Sequence, residues 1–376
     1  MKITLFKVLF ITLGLFIEQA SLTAVSCTLC LPGQKSLAAK HYPQAMTEFT
    51  AAILANPKCI DARLGKAQVL SKVSNHPGAI KELNAVIAMQ PKLSCAYVMR
   101  GVEFETMKEP NKVIRDASEA IVLDPKSAKA YALRARGYYM LVFTCFGQDQ
   151  DLSRKGLADL DTAIRLDPKL AEAHFNKGVW LFGEKKPKEA IASLTKAIEL
   201  DHSKPIYYDY RAVCYEDTGQ CDKAIADLTV AIKLAPREIK AWNKRANAYI
   251  QKGDYNKALE DLNTAAQIAP KNFGIRRLKG DLLMKAKRFS EAVVEFKAIA
   301  AANSMDDEAY KSLGDAYYQL GKYQLSLQNY DEAIDLRSDS QSNYIARSKV
   351  YEKLGDRAKA QQDIKKANSC LGRPES

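Results

Sequence analysis

IKAWNKRANAYIQKGDYNKALEDLNTAAQIAPKN, residues 239–272, is the 34-residue stretch that decides the fold. Apolar residues recur at helical spacing in each half of it, which predicts two amphipathic helices. Gly253 and Asp254 interrupt the pattern in the middle, and Pro270 stands at its end. Glycine and proline at these points are typical of a turn after one helix and a stop after the next. The stretch is therefore predicted to be a helix–turn–helix hairpin.

The same pattern recurs along the chain with a period of 34 residues. The position of Pro270 is again proline in several units, for example Pro57, Pro91 and Pro236. One unit is longer than the others, at 43 residues. The predicted units span residues 26–59, 60–93, 94–127, 128–170, 171–204, 205–238, 239–272, 273–306, 307–340 and 341–374.

Two places within the unit have a constant character. The eighth place is always small: Gly33, Ala67, Gly101, Ala135, Gly178, Ala212, Ala246, Gly280, Gly314 and Ser348. The twenty-fourth is always apolar: Phe49, Leu83, Ala117, Leu160, Leu194, Leu228, Leu262, Phe296, Tyr330 and Ile364. Small and large residues in this register let two helices approach and interlock.

This pattern closely resembles the tetratricopeptide repeat, and the resemblance covers about residues 26–374. It implies an all-α fold, a right-handed α-solenoid of about ten helix–turn–helix repeats. Residues 27–374 are then one elongated array in which each repeat contacts its neighbours. The tail, residues 371–376, is predicted to be disordered.

The net charge of +12 has two interpretations. It is compatible with binding to nucleic acid or to an acidic membrane. The repeats favour structural ion pairs instead, because the seventh place is basic in most units and the twenty-third is acidic in most of the same units. The basic residues are Lys66, Arg100, Arg134, Lys177, Arg211, Arg245, Lys279 and Arg347, and the acidic ones are Glu82, Asp116, Asp159, Asp227, Asp261, Glu295 and Asp363. No nucleic-acid partner is predicted.

The N-terminus, residues 1–26, reads as a signal peptide. Two lysines precede the uncharged apolar run Val8–Ile17, which is too short to span a membrane. Small residues at Ala24 and Ser26 then precede Cys27, as at a signal-peptidase site. The segment also resembles a bacterial lipobox, which implies lipidation at Cys27, although Ala24 departs from that motif. We therefore expect an exported protein that is periplasmic, attached to the outer membrane by lipid, or secreted.

The fourth unit contains the extra residues. Its two helices look regular, so the excess is predicted to be a lengthened turn at residues 143–153. Phe143, Cys145 and Phe146 are apolar for a solvated loop, and we expect them to fold back on a neighbour.

No catalytic or metal-binding constellation stands out. The four histidines lie in different units, and none pairs with another at ligand spacing. Cys27 and Cys30 form a Cys-x-x-Cys, but a cleaved or lipidated Cys27 beside an ordinary Cys30 thiol is the favoured interpretation. A bridge between Cys214 and Cys221 is the less favoured alternative to two thiols. We predict no cofactor, no metal and no enzymatic activity.

The resemblance implies that the first helix of each repeat lines a concave groove that binds a peptide or protein segment. The groove is lined mainly through places two, five, six, nine, twelve and thirteen of the repeat. Along the chain, the residues at these places are first apolar, then acidic and then basic. The predicted groove residues are Val98, Met99, Val102, Arg136, Phe175, Asn176, Val179, Phe182, Asp209, Glu216, Lys240, Asn243, Lys244, Asn247 and Arg277. Each of them is equally compatible with an ordinary solvated or packed face.

The sequence thus predicts a non-enzymatic protein–protein interaction scaffold, acting in cell-envelope assembly. A secreted adaptor or co-chaperone is the alternative, and a regulatory subunit of an enzyme is a third. The clamp that holds chaperone C-termini in related arrays is absent, because Phe175, Val179 and Tyr210 occupy its places.

Overall fold

The computed structural model describes residues 30–145 and 149–370. Over these residues the chain is helical throughout, with no strand. It forms two compact units, the first ending at Thr218 and the second beginning at Gly219. The predicted signal peptide, Cys27 and the tail at residues 371–376 lie outside the described residues.

In the first unit, helices of 8 to 17 residues follow one another across short turns. They are α1 (Leu31–Ala38), α2 (Tyr42–Ala55), α3 (Ile60–Lys72), α4 (His76–Met89), α5 (Ser94–Thr106), α6 (Pro110–Leu123), α7 (Ala128–Met140), α8 (Gln150–Leu166), α9 (Ala171–Gly183), α10 (Pro187–Leu200) and α11 (Pro205–Asp217). Consecutive helices pack as hairpins, so the predicted helix–turn–helix repeats are confirmed.

The second unit is more uniform, with helices of 13 or 14 residues. They are α12 (Cys221–Leu234), α13 (Ile239–Lys252), α14 (Tyr255–Ile268), α15 (Phe273–Lys285), α16 (Phe289–Ala302), α17 (Asp307–Gln319), α18 (Tyr323–Leu336), α19 (Gln341–Leu354) and α20 (Arg357–Cys370). The hairpin of residues 239–272 is α13 and α14, with Gly253 between them.

Outside the fourth repeat, the turn inside the hairpin has one left-handed residue at the fifteenth place. Gly253 has a φ of 79°, and Asp254 then caps α14 by accepting a hydrogen bond from the Lys257 amide. Repeats without glycine there keep the same conformation, with φ of 61° at Lys185 and 58° at Lys287. The turn geometry is therefore common to the repeats, whether or not the sequence provides glycine.

The eighth and twenty-fourth places interlock as predicted. A Cβ built on Gly280 would lie 2.5 Å from the ring of Phe296, and one on Gly314 would lie 2.7 Å from Tyr330. Where the eighth place is alanine, as in Ala246, its partner is the smaller Leu262. The third repeat is an exception, because Gly101 has Ala117 at the twenty-fourth place and a Cβ on it would meet Leu133 of the next repeat at 2.7 Å. Where the large residue is present, it fills the space left by the small one and gives close helix packing.

The ion-pair ladder predicted from charge is confirmed within the two units. The pairs, joined at 2.7 to 3.0 Å, are Lys66–Glu82, Arg100–Asp116, Arg134–Asp159, Arg245–Asp261, Lys279–Glu295 and Arg347–Asp363. Lys177, whose repeat has Ser193 at the acidic place, pairs instead with Asp161 of the preceding repeat at 2.7 Å. The basic side chains at the seventh place are therefore held in structural contacts in these repeats.

The inserted turn at residues 143–153 differs from the prediction. Leu141–Cys145 form a π-helical turn that continues α7, and α8 already begins at Gln150. Asp149 explains this early start, because its carboxylate accepts hydrogen bonds from the amides of Asp151 and Leu152. Phe143 does fold back, with its ring centroid 5.8 Å from that of Trp180. The insertion thus lengthens helices more than the turn.

The last helix, α20, has the polar outer face expected of a terminal repeat. Gln361, Gln362, Lys365 and Lys366 are exposed. Within the described residues, no helix combines the length and the apolar character that crossing a bilayer requires.

Candidate functional site

The first helices of successive repeats form one continuous face in the first unit. Helix α5 contacts α7, α7 contacts α9, and α9 contacts α11. Side chains that point away from the second helices are therefore brought together on this face. We call the face lined by α5, α7 and α9 the groove.

Arg136 on α7 is the centre of a polar cluster in the groove. Its Nε lies 2.9 Å from Glu105 Oε1 on α5, and its Nη1 contacts Glu172 on α9. The side chains of Arg136 and Glu105 are only 10% and 8% exposed. Burial raises the pKa of the Glu105 carboxyl above its ordinary value, and the attraction of Arg136 offsets only part of this effect.

One nitrogen atom beside the cluster, Nδ2 of Asn176, is buried without a hydrogen-bond partner. Arg136 Nε is held at 2.9 Å from the Glu105 carboxylate. Asn176 and Arg136 line a partly open cavity of about 20 Å³, together with Tyr139, Phe175 and Val179. A space of this size holds one water molecule or one oxygen atom of a ligand. The cavity therefore has room for a single acceptor atom beside an unpartnered donor.

Aromatic rings pack α9 against α11 beside the groove. Phe175 stacks on Tyr207 with centroids 4.7 Å apart, and it meets Tyr210 edge-on at 5.5 Å. Phe182 contacts Tyr210 in the same edge-on way at 6.5 Å. Burial raises the pKa of Tyr207 to about 12, so its hydroxyl stays neutral at physiological pH. This wall beside the groove is apolar and without charge.

The predicted apolar groove residues divide into two groups. Val98, Val102 and Phe182 are half-buried and remain accessible. Met99, Phe175 and Val179 are 7%, 2% and 4% exposed and belong to the hydrophobic core. These three therefore offer little surface to a ligand in this structure, although Phe175 and Val179 line the small cavity beside Asn176.

The predicted acidic residues differ in exposure. Asp209 on α11 is buried, and Glu216 is half-buried.

In the second unit the predicted basic and amide residues lie on α13 and α15. Lys240 and Asn247 are exposed, whereas Asn243 and Lys244 are half-buried. Asn243 Oδ1 is buried without a hydrogen-bond partner. Arg277 differs from the prediction, since its guanidinium is held at 2.7 Å by Asp306 in the next turn. Asp306 caps α17 and Glu308 on α17 lies 3.6 Å from the same guanidinium, so Arg277 serves to join α15 to α17 in this structure.

Sequence reasoning missed Glu105, Tyr139 and Glu172. Glu105 and Tyr139 occupy the twelfth place of their repeats, and Glu172 occupies the second. Both are groove places, so the signal was present in the register. The pairing of Glu105 and Glu172 with Arg136 could not be read from it, because the three residues belong to three different repeats.

The described residues contain no group of three or more His, Cys, Asp or Glu side chains arranged to hold a metal ion.

Family models for the tetratricopeptide repeat match most of the chain after residue 147. They match residues 148–205, 214–273, 249–316, 314–355 and 342–369. With the repeated hairpins and the packing described above, these matches show that the chain is a tetratricopeptide repeat protein. The fold is that of a protein–protein interaction scaffold.

Several solved structures are similar to parts of the chain. A thermophilic tetratricopeptide protein from Thermus thermophilus is 19% identical over 51% of this chain and 99% of its own, with a TM-score of 0.46. MamA from Desulfovibrio magneticus RS-1 is 20% identical over 46% and 97%, with a TM-score of 0.42. YrrB, described as having an unusual peptide-binding site, is 19% identical over 55% and 97%, with a TM-score of 0.40. No curated protein sequence matches the chain.

Proposed function

We propose that this protein binds an extended peptide segment of a partner protein in the groove lined by α5, α7 and α9. The observation that carries the proposal is Asn176 Nδ2, a buried donor without a hydrogen-bond partner, on a residue that lines one small cavity together with Arg136. A buried N–H without an acceptor costs free energy, and native proteins keep few of them. A ligand that supplies the acceptor recovers this cost.

The charges around the cavity favour a neutral acceptor. Arg136 already lies between Glu105 and Glu172, so the site offers little net positive charge. A free carboxylate would meet these two acidic groups at close range. A peptide carbonyl oxygen accepts the same hydrogen bond without that repulsion. We therefore infer recognition of peptide backbone, away from a chain terminus.

Half-buried apolar side chains supply the second element of recognition. Val98 and Val102 on α5 and Phe182 on α9 are partly accessible on either side of the polar cluster. Apolar side chains of the peptide would contact these positions while its backbone lies over Asn176. This combination fits a segment with apolar residues flanking its bound carbonyl.

The test begins with selection of linear peptides from a random displayed library on the immobilised full chain. Selected peptides are then resynthesised with a benzophenone group and cross-linked to the protein in solution. Cross-links to α5, α7 and α9 are the expected result. Cross-links confined to the second helices or to the hairpin turns would contradict the groove assignment.

We further propose that binding takes place outside the cytoplasm, in cell-envelope assembly. The support is the N-terminal sequence, with Lys2 and Lys7 before the apolar run Val8–Ile17 and small residues before Cys27. Lipidation at Cys27 would attach the protein to a membrane. Without lipidation, the protein would be a soluble exported adaptor or co-chaperone.

Intact mass and N-terminal sequencing of the native protein test this second proposal. A chain that starts at Cys27 supports export, and added acyl mass supports the lipid anchor. Retention of Met1 would contradict export. The proposed role is non-enzymatic, so the purified protein is expected to turn over no substrate alone.

A further inference from the structure

Two cysteines face each other inside the first repeat. The Sγ atoms of Cys30 and Cys59 are 3.2 Å apart, and both residues are buried, with exposures of 0% and 5%. Cys30 directly precedes α1, and Cys59 directly precedes α3. They lie in one hydrophobic cluster with Ala45 and Phe49 of α2. The residue before α1 is thus in contact with the residue before α3.

We propose that Cys30 and Cys59 are a disulfide-forming pair that joins the terminal repeat to the array when the chain meets a disulfide oxidant. A disulfide bond is about 2 Å long, so the sulfur atoms need to approach by roughly 1 Å. Small rotations about χ1 of both residues provide such a movement. The proposal concerns this end of the chain and is independent of the groove.

The chemistry is thiol–disulfide exchange with a low-molecular-weight disulfide such as oxidised glutathione. The thiolate of one cysteine attacks a sulfur of that disulfide and releases one glutathione thiol. The second thiolate attacks the mixed disulfide, forms the Cys30–Cys59 bond and releases the second glutathione thiol. The two protein thiols lose their protons and two electrons, and the oxidant is reduced to two thiols.

A bond here would act on a short helix. Helix α1 is only eight residues long, and among the described helices its main contacts are with α2 and α3. Joining Cys30 to Cys59 closes a loop that contains the whole of α1 and α2. Such a loop restricts the unfolded state and keeps α1 from separating.

The experiment is refolding of the full chain from denaturant in a buffer of reduced and oxidised glutathione. Remaining thiols are alkylated, and the disulfides are mapped by mass spectrometry after digestion. The expected product is a linked Cys30–Cys59 peptide, lighter by two hydrogen atoms than its reduced components. Cys95, which is half-buried on α5 and has its pKa raised by burial, is the internal control and should be alkylated.

Three outcomes would overturn the proposal: a linked Cys27–Cys30 peptide, glutathione adducts on Cys30 and Cys59 without a link, or alkylation of both residues. A second measurement keeps the test independent of refolding yield. Reductant should speed proteolysis within α1 of the oxidised wild-type protein severalfold. The Cys30→Ala/Cys59→Ala double variant should show no effect of reductant, and an equal effect in both proteins would also overturn the proposal.

Discussion

Arg136 and Glu105 meet between α5 and α7, with Arg136 Nε 2.9 Å from Glu105 Oε1 and both side chains at least nine-tenths buried. Such a pair gains Coulomb energy but loses hydration, and the loss frequently outweighs the gain. The raised pKa of Glu105 shows that burial dominates here. The pair therefore holds the Arg136 guanidinium in a fixed place between α5 and α7.

The Glu105 carboxyl should make stability fall as pH rises. Because its pKa is higher in the folded chain, folding takes up a proton above the ordinary glutamate value of 4.5. Its favourable contribution is complete below that value and is lost as pH rises through the folded pKa. Glu105→Gln, which mimics the neutral form, should gain stability relative to wild type between pH 4.5 and neutrality. Urea unfolding across this range measures the difference, and a relative loss with rising pH would contradict the assignment.

The ion-pair ladder predicts a large cost for removing one partner. Asp261 is 4% exposed and forms two hydrogen bonds with Arg245, so Asp261→Ala leaves a guanidinium without its partner. We expect a loss of about 3 kcal/mol in the free energy of unfolding. Glu199→Ala removes an exposed pair with Lys196 and should cost about 0.5 kcal/mol or less. Equal losses in chemical denaturation would argue against a structural role for the ladder.

The left-handed turn residue predicts opposite effects in two repeats. Lys287 has a φ of 58°, so Lys287→Gly should relieve backbone strain. Glycine also gives the unfolded chain more conformational freedom, which offsets part of this gain, and the net stabilisation should be about 0.5 kcal/mol. Gly253 has a φ of 79° with open space around its Cα, so Gly253→Ala should cost about 1 kcal/mol through the backbone alone. Thermal unfolding compares the two, and changes of the same sign would show that the turns are not equivalent.

The fold was predictable because the same pattern of small, apolar and charged residues recurs in successive repeats. The match between Gly280 and Phe296, and between Arg245 and Asp261, follows from two places in one hairpin. The early start of α8 at Gln150 was not predicted, because the extra residues were expected to form a loop. Asp149 instead caps the helix and allows it to begin at Gln150.

The candidate site was predictable only in part. The register gave Arg136 and Asn176 as groove residues, but it also gave Met99, Phe175 and Val179, which the stacked helices cover. The contacts of Arg136 with Glu105 and Glu172 join residues of different repeats. The approach of Cys30 to Cys59 likewise depends on how α1 and α3 lie against each other. Predicting such contacts requires the three-dimensional arrangement of the helices, because the spacing of residues within one repeat does not determine them.

The central claim is that Asn176 is kept for a ligand at the expense of stability. Asn176→Leu removes an unsatisfied buried N–H with little change in shape, so the free energy of unfolding should stay the same or increase. The control for binding is Asn343→Leu in the second unit, because Asn343 is also buried, with its Nδ2 donating to the Ala333 carbonyl at 3.3 Å and its Oδ1 without a partner. Asn343→Leu makes the same substitution outside the groove and should leave peptide binding unchanged.

The most direct measurement is the affinity of one library-selected peptide for wild type, Asn176→Leu and Asn343→Leu by fluorescence anisotropy. Losing the hydrogen bond from Asn176 should weaken binding about tenfold, while the control binds as wild type does. Undiminished binding by Asn176→Leu would contradict the proposal that its Nδ2 meets the peptide in the groove.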